Sequence, residues 1–311
     1  MQTTAVVLRR PLDVGLETLE LDRPLDGDIV VDTYFTGIST GTERLLWDGR
    51  MPSFPGMGYP LVPGYEAIGE VVEAGPGSGL SVGETVFVPG AKCYGDVRAL
   101  FGASASRVVT QSSRVIKVSH DLGEQGLAIA LAATAYHAIA TGEDPQLIIG
   151  HGTLGRLLAR LTVLLGGEPP IVWETNEVRR TGGDGYSVIH PDDDPRRDYS
   201  TIYDASGDAS LLDQLISRMS KGGEVVLAGF YHDRISFAFA PAFMREARFR
   251  IASEWQPHDL EAVTELIAAS RLSLGGLVTH VKPCEDVADA YRTAFEDSTC
   301  LKMALDWRSV Q

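Results

Sequence analysis

Short apolar and β-branched segments, separated by glycine and proline, dominate the first 120 residues. Four of them stand out: DIVVDTYF at 28–35, AIGEVVEAG at 67–75, ETVFVPGA at 84–91 and SRVVTQSSRVIKV at 106–118. Runs of this kind joined by tight turns are typical of β-strands. The pattern therefore predicts a compact, mostly-β unit in the N-terminal part of the chain.

From about Asp121 the pattern changes to strands that alternate with helices. The Ala-rich segment 130–142 predicts a helix, and 146–167 predicts a buried strand, a glycine turn and a long helix. Further strand candidates follow at 171–174, 187–190, 201–206, 224–229 and 249–254. Several have helical segments between them, which indicates βαβ units in a doubly wound parallel sheet.

After residue 270 the chain is expected to return to the first unit. A strand, an amphipathic helix and a last strand at 301–307 follow there. We therefore predict an α/β protein with a β-rich domain of residues 1–121 and 271–311 and a Rossmann domain of residues 122–270. The length of 311 residues agrees with two domains of ordinary size.

Composition and charge exclude several classes of partner. The 42 acidic and 27 basic side chains give a net charge of −15, which repels a phosphate backbone, so nucleic acid is not expected to bind. No apolar run approaches the roughly 20 residues that span a bilayer, and the N-terminus lacks a secretory pattern. We expect no transmembrane segment and a cytoplasmic location. The three cysteines are odd in number and widely spaced, as expected of reduced thiols.

A glycine turn predicts dinucleotide binding. Gly150, Gly152 and Gly155 form G-x-G-x-x-G together with Leu154, between an apolar strand candidate and an apolar helix. In that position the glycines allow a tight turn, close approach of a pyrophosphate and packing of the helix on the strand. His151 within the turn is expected to contact the cofactor.

An acidic residue at the end of the next strand supports this prediction. Glu174 ends IVWE about 20 residues further on, where a carboxylate accepts the ribose hydroxyls and repels a 2′-phosphate. NAD is therefore favoured over NADP. Arg179 is a further cofactor candidate. Because Arg179 and Arg180 could bind a 2′-phosphate, NADP remains an alternative cofactor.

The order of these parts resembles the medium-chain dehydrogenase/reductase superfamily of the alcohol dehydrogenase type. The resemblance rests on TGISTGTE at 36–43, PGYE at 63–66, the glycine turn and the C-terminal return. It implies a GroES-like catalytic domain beside the Rossmann domain. It also implies cofactor contacts for Thr134, Asp204, Ser206, Gly229, Phe230 and Lys302.

Three longer segments, 37–66, 89–102 and 147–161, are similar to one branch of that superfamily. That branch comprises dehydrogenases of bacteriochlorophyll biosynthesis that act on 3-(1-hydroxyethyl) bacteriochlorophyllide a. The resemblance implies oxidation of the side-chain alcohol to an acetyl group, with this tetrapyrrole as substrate and NAD as hydride acceptor. A homo-oligomer, a dimer, is also expected.

The residues that hold catalytic zinc in other members of the superfamily are replaced. Their places fall on Ser39 or Thr40, on Tyr65 and near Ala130. Hydroxyl, phenol and methyl groups do not form a zinc site, which needs thiolate, imidazole or carboxylate ligands. The sequence therefore predicts no metal, and the remaining Glu66 is expected to be paired and structural.

Proton transfer is then expected to depend on hydroxyl groups. Thr42, Ser39 and Tyr65 are the catalytic candidates, and His137 is a candidate for passing the proton to solvent. Each has a structural alternative: Thr42 and Ser39 cap a turn or helix, Tyr65 fills the volume of the lost zinc, and His137 is a satisfied structural histidine.

Residues 46–59 are the candidate wall of the substrate site, because they combine aromatic and methionine side chains with glycine and proline. Arg50 is expected to meet a propionate carboxylate. The further substrate candidates are Trp47, Phe54, Met57, Tyr59 and Tyr94. The alternative is a subunit contact or packing within the domain.

Two other functions fit the same residues. A zinc-free quinone or enoyl reductase also lacks the metal ligands, but it would prefer NADPH, which Glu174 disfavours. A binding protein that keeps a nucleotide site without turnover is the second alternative, and the hydroxyl-bearing motif argues against it.

Overall fold

The computed structural model describes residues 1–54 and 56–310. It divides into two compact units, Met1–Ala130 with Leu274–Gln311 and Leu131–Ser273. The sequence placed the corresponding boundaries at 121/122 and 270/271. Among the described residues, no helix is both long and apolar enough to cross a bilayer.

The described residues of the first unit form two sheets and two α-helices. A four-stranded sheet has the order β2-β1-β4-β7, and a seven-stranded sheet has the order β16-β17-β3-β5-β6-β9 with β8 paired to β3. The strands are β1 Gln2–Arg10, β2 Asp13–Glu20, β3 Asp28–Ile38, β4 Leu61–Val62, β5 Ala67–Ala74, β6 Thr85–Val88, β7 Arg98–Ala99, β8 Arg107–Gln111, β9 Ile116–Lys117, β16 His280–Pro283 and β17 Met303–Asp306; the helices are α1 Thr42–Asp48 and α7 Val287–Glu296.

The second unit is a six-stranded, fully parallel sheet with the order β12-β11-β10-β13-β14-β15. Its strands are β10 Leu147–Ile149, β11 Ile171–Trp173, β12 Ser187–Ile189, β13 Tyr199–Asp204, β14 Met219–Leu227 and β15 Arg248–Ile251. The helices are α2 Ile129–Ala140, whose first two residues belong to the first unit, α3 Thr153–Leu164, α4 Leu212–Arg218, α5 Phe239–Arg245 and α6 Pro257–Ala268.

The sheet orders bring distant segments together in the first unit. β17 pairs antiparallel with β3, and β3 also pairs with β5. The C-terminal segment therefore lies beside the two N-terminal segments that carry TGISTGTE and PGYE. A buried cluster that includes Leu46, Tyr291 and Trp307 packs around the same elements.

The α/β fold class, with a GroES-like β-rich domain and a Rossmann parallel sheet, is confirmed. β10 and α3 flank the glycine turn as expected, and β11 ends directly before Glu174. The β1–β2 hairpin and α1 were not predicted from the pattern of apolar segments. The sequence of α1, TERLLWD, is too short to show a helical period.

Candidate functional site

Three hydroxyl-bearing side chains of the first unit converge. Ser39 follows the end of β3, Thr42 begins α1, and Tyr65 precedes β5. The Oγ of Ser39 lies 2.8 Å from the phenol oxygen of Tyr65, and Thr42 also hydrogen-bonds that phenol. The fold therefore brings together the three hydroxyls that the sequence proposed for proton transfer.

The helix-capping alternative for Thr42 does not describe the geometry. The N-cap of α1 is Gly41, which makes no side-chain cap bond, and Thr42 is the first helical residue. Its hydroxyl bonds Tyr65 instead. Ser39 lies before the cap and is buried, with its hydroxyl on Tyr65.

The phenol of Tyr65 stays protonated in neutral water. Burial raises the pKa of Tyr65 above its usual value of about 10, the Glu66 carboxylate raises it further, and the bonds from Ser39 and Thr42 only partly oppose this. Tyr65 is therefore suited to donate a hydrogen bond or to pass a proton along a chain of hydroxyls, and unsuited to act as a phenolate base.

A buried ion pair lies next to these hydroxyls. The ammonium of Lys302 donates to both carboxylate oxygens of Glu66, at 2.8 and 2.6 Å, and both side chains are about 2% exposed or less. A Cβ at Gly37 of β3 would lie 2.3 Å from Glu66 Oε2, so this glycine leaves room for the carboxylate. Glu66 is paired, as expected, and Lys302 is held by a carboxylate of its own unit rather than in the cofactor-phosphate position that the resemblance implied.

A second buried carboxylate, Glu43, completes the cluster. Its Oε2 accepts a hydrogen bond of 2.6 Å from the phenol of Tyr291 on α7, and its Oε1 accepts one of 3.4 Å from the backbone N–H of Ser39. Glu43 is 1% exposed, and this burial raises its pKa to about 7, although the Tyr291 bond lowers it. The hydroxyl cluster is hereafter the set Ser39, Thr42, Glu43, Tyr65, Glu66, Tyr291 and Lys302.

The ligand chemistry of the hydroxyl cluster does not suit zinc. At the places of the metal ligands lie the alcohol of Ser39 and a phenol whose ionisation is disfavoured. Glu66 is the nearest carboxylate in sequence to Tyr65, and both of its oxygens are bonded to Lys302. Zinc prefers thiolate, imidazole and free carboxylate ligands. Within residues 1–54 and 56–310, no group of three or more His, Cys, Asp and Glu side chains could hold a metal.

The candidate substrate wall packs on the first unit through part of its length. Trp47 lies against Phe295, with ring centroids 5.3 Å apart, and Tyr59 donates to the carbonyl oxygen of Leu46. Met57 is half-buried and Phe54 is 39% exposed. Pro55 of this stretch lies outside the described residues. The wall therefore presents a mixture of anchored and accessible apolar side chains.

Two further substrate candidates have partners within the unit. Arg50 is exposed and forms a salt bridge with Asp48, with 2.5 Å between Nη2 and Oδ2. Tyr94 is 4% exposed, belongs to the core of the β-rich unit and donates 2.6 Å to the carbonyl oxygen of Gly102. The expectation that Tyr94 lines a pocket is corrected: the apolar neighbours that bury it occupy the space a substrate would need.

The glycine turn of the second unit has the geometry of a nucleotide site. Gly150 has φ 92°, which favours glycine. A Cβ at Gly155 would lie 1.8 Å from the carbonyl oxygen of Gly150, whereas a Cβ at Gly152 would meet no atom within 4 Å. Gly152 is also the N-cap of α3 and supplies no side-chain cap. The start of the helix therefore faces open space, where its backbone N–H groups favour an anion such as a pyrophosphate.

Glu174 binds the backbone of this turn. Its Oε2 accepts from the N–H of His151 at 3.0 Å, and its Oε1 accepts from the N–H of Asn176 at 2.8 Å. Glu174 is only half-buried, so the carboxylate remains accessible at the end of β11. The residue therefore has both the position expected of a ribose ligand and a structural part in the turn.

His151 does not have the expected place beside the cofactor. It is fully buried, with Nδ1 2.6 Å from the carbonyl oxygen of Arg179 and Nε2 2.8 Å from the Tyr186 phenol. Burial lowers its pKa to about 4, so the ring is neutral. Arg156 donates to the carbonyl oxygens of His151, Arg179, Thr181 and Gly182. These contacts fix the segment of Arg179 against the turn.

Two further turns of the second unit lie at the carboxyl ends of β13 and β14. Asp204 is fully buried; its carboxylate accepts from the N–H and hydroxyl of Ser206 and from the phenol of Tyr231. Its carbonyl oxygen accepts from the N–H of Gly229 at 2.8 Å. Asp204 therefore organises the turns, while Ser206 and Phe230 are the exposed members.

Thr134 and His137 both lie on α2. Thr134 is half-buried. The Nδ1 of His137 lies 2.8 Å from Oδ2 of Asp259, a buried carboxylate that also accepts from the N–H of Gln256 in the capping box of α6. His137 therefore links α2 to α6, which favours its structural alternative over a proton path.

Several residues of these sites escaped the sequence analysis. Tyr291 and the pairing of Lys302 with Glu66 depend on contacts between segments more than 230 residues apart. Arg156, Tyr186 and Tyr231 carry no motif of their own. Glu43 stands inside TGISTGTE, so a glutamate in an otherwise apolar and hydroxyl-bearing segment was the one signal available.

Comparison with known proteins gives a family for the first unit and full-length relatives. The family described as "Alcohol dehydrogenase GroES-like domain" matches residues 25–120. The chain is 57% identical to the "2-desacetyl-2-hydroxyethyl bacteriochlorophyllide A dehydrogenase" of Cereibacter sphaeroides, over 99% of each protein. It is 56% identical to the protein of the same name from Rhodobacter capsulatus, over 100% of each.

Solved structures agree with the fold at low sequence identity. The crystal structure of 2R,3R-butanediol dehydrogenase from Bacillus subtilis superposes with a TM-score of 0.83 at 19% identity, over 98% of this chain and 99% of the other. At that identity the likeness concerns the fold alone.

Proposed function

Because the chain belongs to the family of 2-desacetyl-2-hydroxyethyl bacteriochlorophyllide a dehydrogenases, within the alcohol dehydrogenase type of medium-chain enzymes, we propose that it oxidises the hydroxyethyl side chain of that tetrapyrrole to an acetyl group. The observation that carries this proposal is 57% identity over 99% of both chains. The enzyme is a dehydrogenase acting on a CH–OH group.

The cofactor is a nicotinamide dinucleotide, and NAD is the form proposed. When bound, it accepts the hydride from the alcohol carbon. Support comes from the open space at Gly152 and the start of α3, and from the accessible carboxylate of Glu174. A carboxylate there accepts ribose hydroxyls and repels a 2′-phosphate. Gly150, Leu154, Gly155, Arg179, Thr134, Ser206, Gly229 and Phe230 are proposed to surround the cofactor.

Proton removal is assigned to hydroxyls rather than to a metal. Ser39 and Thr42 each hydrogen-bond Tyr65, so a proton taken from the alcohol by one hydroxyl is released by another, with solvent as its final acceptor. A metal would stabilise the alkoxide by several kcal/mol. A carbinol attached to a conjugated macrocycle delocalises the electron-poor carbon formed on hydride loss, so the substrate supplies part of that effect.

Substrate contacts are proposed for residues 46–59. The accessible Phe54 and the half-buried Trp47, Met57 and Tyr59 offer apolar and aromatic surface for a flat tetrapyrrole. Arg50 is exposed and can exchange its Asp48 partner for a propionate, because exposed ion pairs are weak, on the order of 0–1 kcal/mol.

A homodimer is proposed through one edge of the second unit. β15 is the last strand of its sheet, and its outer edge offers backbone groups for another strand. Phe239, Phe243 and Met244 beside it are 74%, 66% and 73% exposed, a patch unusual for a monomer. They line a cavity of about 500 Å³ flanked by the opposite charges of Lys221 and Glu246. In a twofold dimer, the edge of β15 would pair with the same edge of the second copy, and the apolar patch with its Lys221 and Glu246 would face the same patch.

The test is incubation of purified protein with hydroxyethyl bacteriochlorophyllide and NAD, or NADP in parallel. We expect the absorbance change of the acetyl product together with NADH formation, faster with NAD. Metal analysis of the same active sample is expected to give no stoichiometric zinc, and a chelator should leave turnover unchanged.

Three outcomes would contradict the proposal. Cofactor binding without turnover would favour a binding protein, and turnover of an enone or quinone with NADPH alone would favour a reductase. One zinc per chain whose removal abolishes activity would overturn the hydroxyl mechanism.

A further inference from the structure

The hydroxyl cluster contains a carboxylate that the proposed reaction does not yet use. Glu43 bridges two parts of the first unit, because it binds the Ser39 N–H in its own segment and the Tyr291 phenol on α7. Ser39 in turn bonds Tyr65 at 2.8 Å. The Glu43 carboxylate is therefore linked to the Ser39–Tyr65 pair through the backbone N–H of Ser39, at 3.4 Å.

Hydrogen-bond chemistry makes the charge of Glu43 matter. An ionised carboxylate only accepts, whereas a protonated one also donates. Both partners of Glu43 are satisfied when it is ionised, since the Ser39 N–H is an obligate donor. Tyr291 is fully buried, and its bond to Glu43 is the one hydrogen bond that its phenol makes among the described residues. A proton on Oε2 would compete with the Tyr291 O–H for the line between the two oxygens, so one of the two hydrogens has to turn away, which weakens the hydrogen bond of a buried group.

We propose that Glu43, anchored by Tyr291, is a positioning residue for the Ser39–Tyr65 pair, and that the pair is aligned for proton transfer only while Glu43 is ionised. The inference rests on the proposed function, because the aligned pair is the proton path of the alcohol oxidation. It gives the enzyme a pH-dependent element next to the proposed proton path.

The surroundings place this change of charge near neutrality. Burial raises the pKa of Glu43 to about 7; Tyr291 lowers it by donating to the carboxylate, Glu66 raises it by like charge, and Lys302 lowers it. Tyr65 stays protonated over this range, and Glu66 is paired with Lys302. Glu43 is thus the member of the cluster expected to change its protonation around pH 7.

The sign of the effect follows from the proposal. Below pH 7 the protonated Glu43 misaligns the pair, so kcat should fall about tenfold for each pH unit under saturating substrate and cofactor. Tyr291→Phe removes the donor that stabilises the carboxylate, so the acid limb of the kcat profile should move to higher pH. Glu43→Gln cannot ionise, so its lower kcat should show no such limb, while KM changes little.

The matched control is Tyr34→Phe. Tyr34 also donates from a phenol to a glutamate of the same unit, 2.5 Å to Glu70, but it has no bond to the hydroxyl cluster. The pH dependence of kcat in Tyr34→Phe should coincide with that of the wild type. If kcat falls at the same acid pH in wild type, Tyr291→Phe and Tyr34→Phe, the inference is overturned. The same holds if Glu43→Gln keeps the fall of kcat at acid pH that the wild type shows.

A readout that needs no turnover separates this inference from the proposed function. Infrared difference spectra of a pH titration should show a protonated carboxyl appearing near neutrality in wild type, at higher pH in Tyr291→Phe and not in Glu43→Gln. If the hydroxyethyl substrate is not oxidised, the function fails while this titration still decides the state of Glu43. If the substrate is oxidised and no carboxyl titrates there, the inference alone fails.

Discussion

At the scale of single residues, the first unit contains a buried ion pair between Lys302 and Glu66. Lys302 and Glu66 are both about 2% exposed or less and are joined by two hydrogen bonds. Breaking a buried pair by removing one partner costs more than the pair contributes, because the remaining charge stays buried.

Lys302→Met should therefore lower the free energy of unfolding by about 3–5 kcal/mol, measured by urea denaturation. The double variant Glu66→Gln with Lys302→Met should recover a large part of that loss. The control is Lys117→Met, because Lys117 lies 2.6 Å from Glu84 on the surface and should change stability by less than about 1 kcal/mol. Equal losses for Lys302→Met and Lys117→Met would contradict the assignment.

Thr42 is tested by removal of its hydroxyl. Thr42→Val keeps the shape of the side chain but cannot exchange a proton with Tyr65, so kcat should fall by about 10²-fold or more, with cofactor affinity unchanged. Stopped-flow turnover and cofactor titration measure the two effects. Thr110→Val is the control, because the buried Thr110 hydroxyl has no hydrogen-bond partner within residues 1–54 and 56–310. Wild-type kcat in Thr42→Val would remove this residue from the proton path.

At the scale of elements, the strand–turn–helix of β10 and α3 combines binding with internal support. Glu174 holds the N–H of His151, and His151 and Arg156 hold the segment of Arg179. Loss of one of these side chains can therefore loosen the turn as well as remove a ligand contact, and an experiment has to separate the two effects.

Glu174→Ala separates them through the choice of cofactor. Loss of a ribose contact should raise the Kd for NAD by about tenfold or more, while NADP, freed from repulsion by the carboxylate, should lose less or gain affinity. A turn that was merely loosened would weaken both cofactors equally, which would exclude Glu174 from the ribose site. Isothermal titration measures both affinities. Glu177→Ala, at an exposed carboxylate in the neighbouring 3-10 helix, should leave them unchanged.

At the scale of the whole molecule, the exposed aromatic patch on the second unit departs from an ordinary soluble surface. Phe243→Glu places a charge at a 66% exposed position of that patch, so the proposed dimer should dissociate to a species of half the mass in sedimentation velocity. Leu165→Glu is the control, because Leu165 is also exposed, at 44%, but lies at the end of α3. A wild-type monomer, or a dimer that survives Phe243→Glu, would contradict the proposed interface.

The amino-acid sequence by itself determined the class of fold and the type of cofactor turn. Alternation of short β-branched runs and helices, and the spacing of Gly150, Gly152 and Gly155, are local properties that a few adjacent residues fix through backbone sterics and periodicity. Replacement of zinc ligands by Ser39 and Tyr65 was visible for the same reason, since it concerns residue types within short motifs.

Only the tertiary structure decided how buried charges are matched. Glu43 meets Tyr291 across 248 positions of sequence and Glu66 meets Lys302 across 236, because β17 pairs with β3 and α7 packs on the same unit. It also moved Tyr94 into the core and His151 away from the cofactor side. The protonation state of a carboxylate depends on burial and on every charge within several ångströms, and chain folding, not sequence spacing, sets those distances.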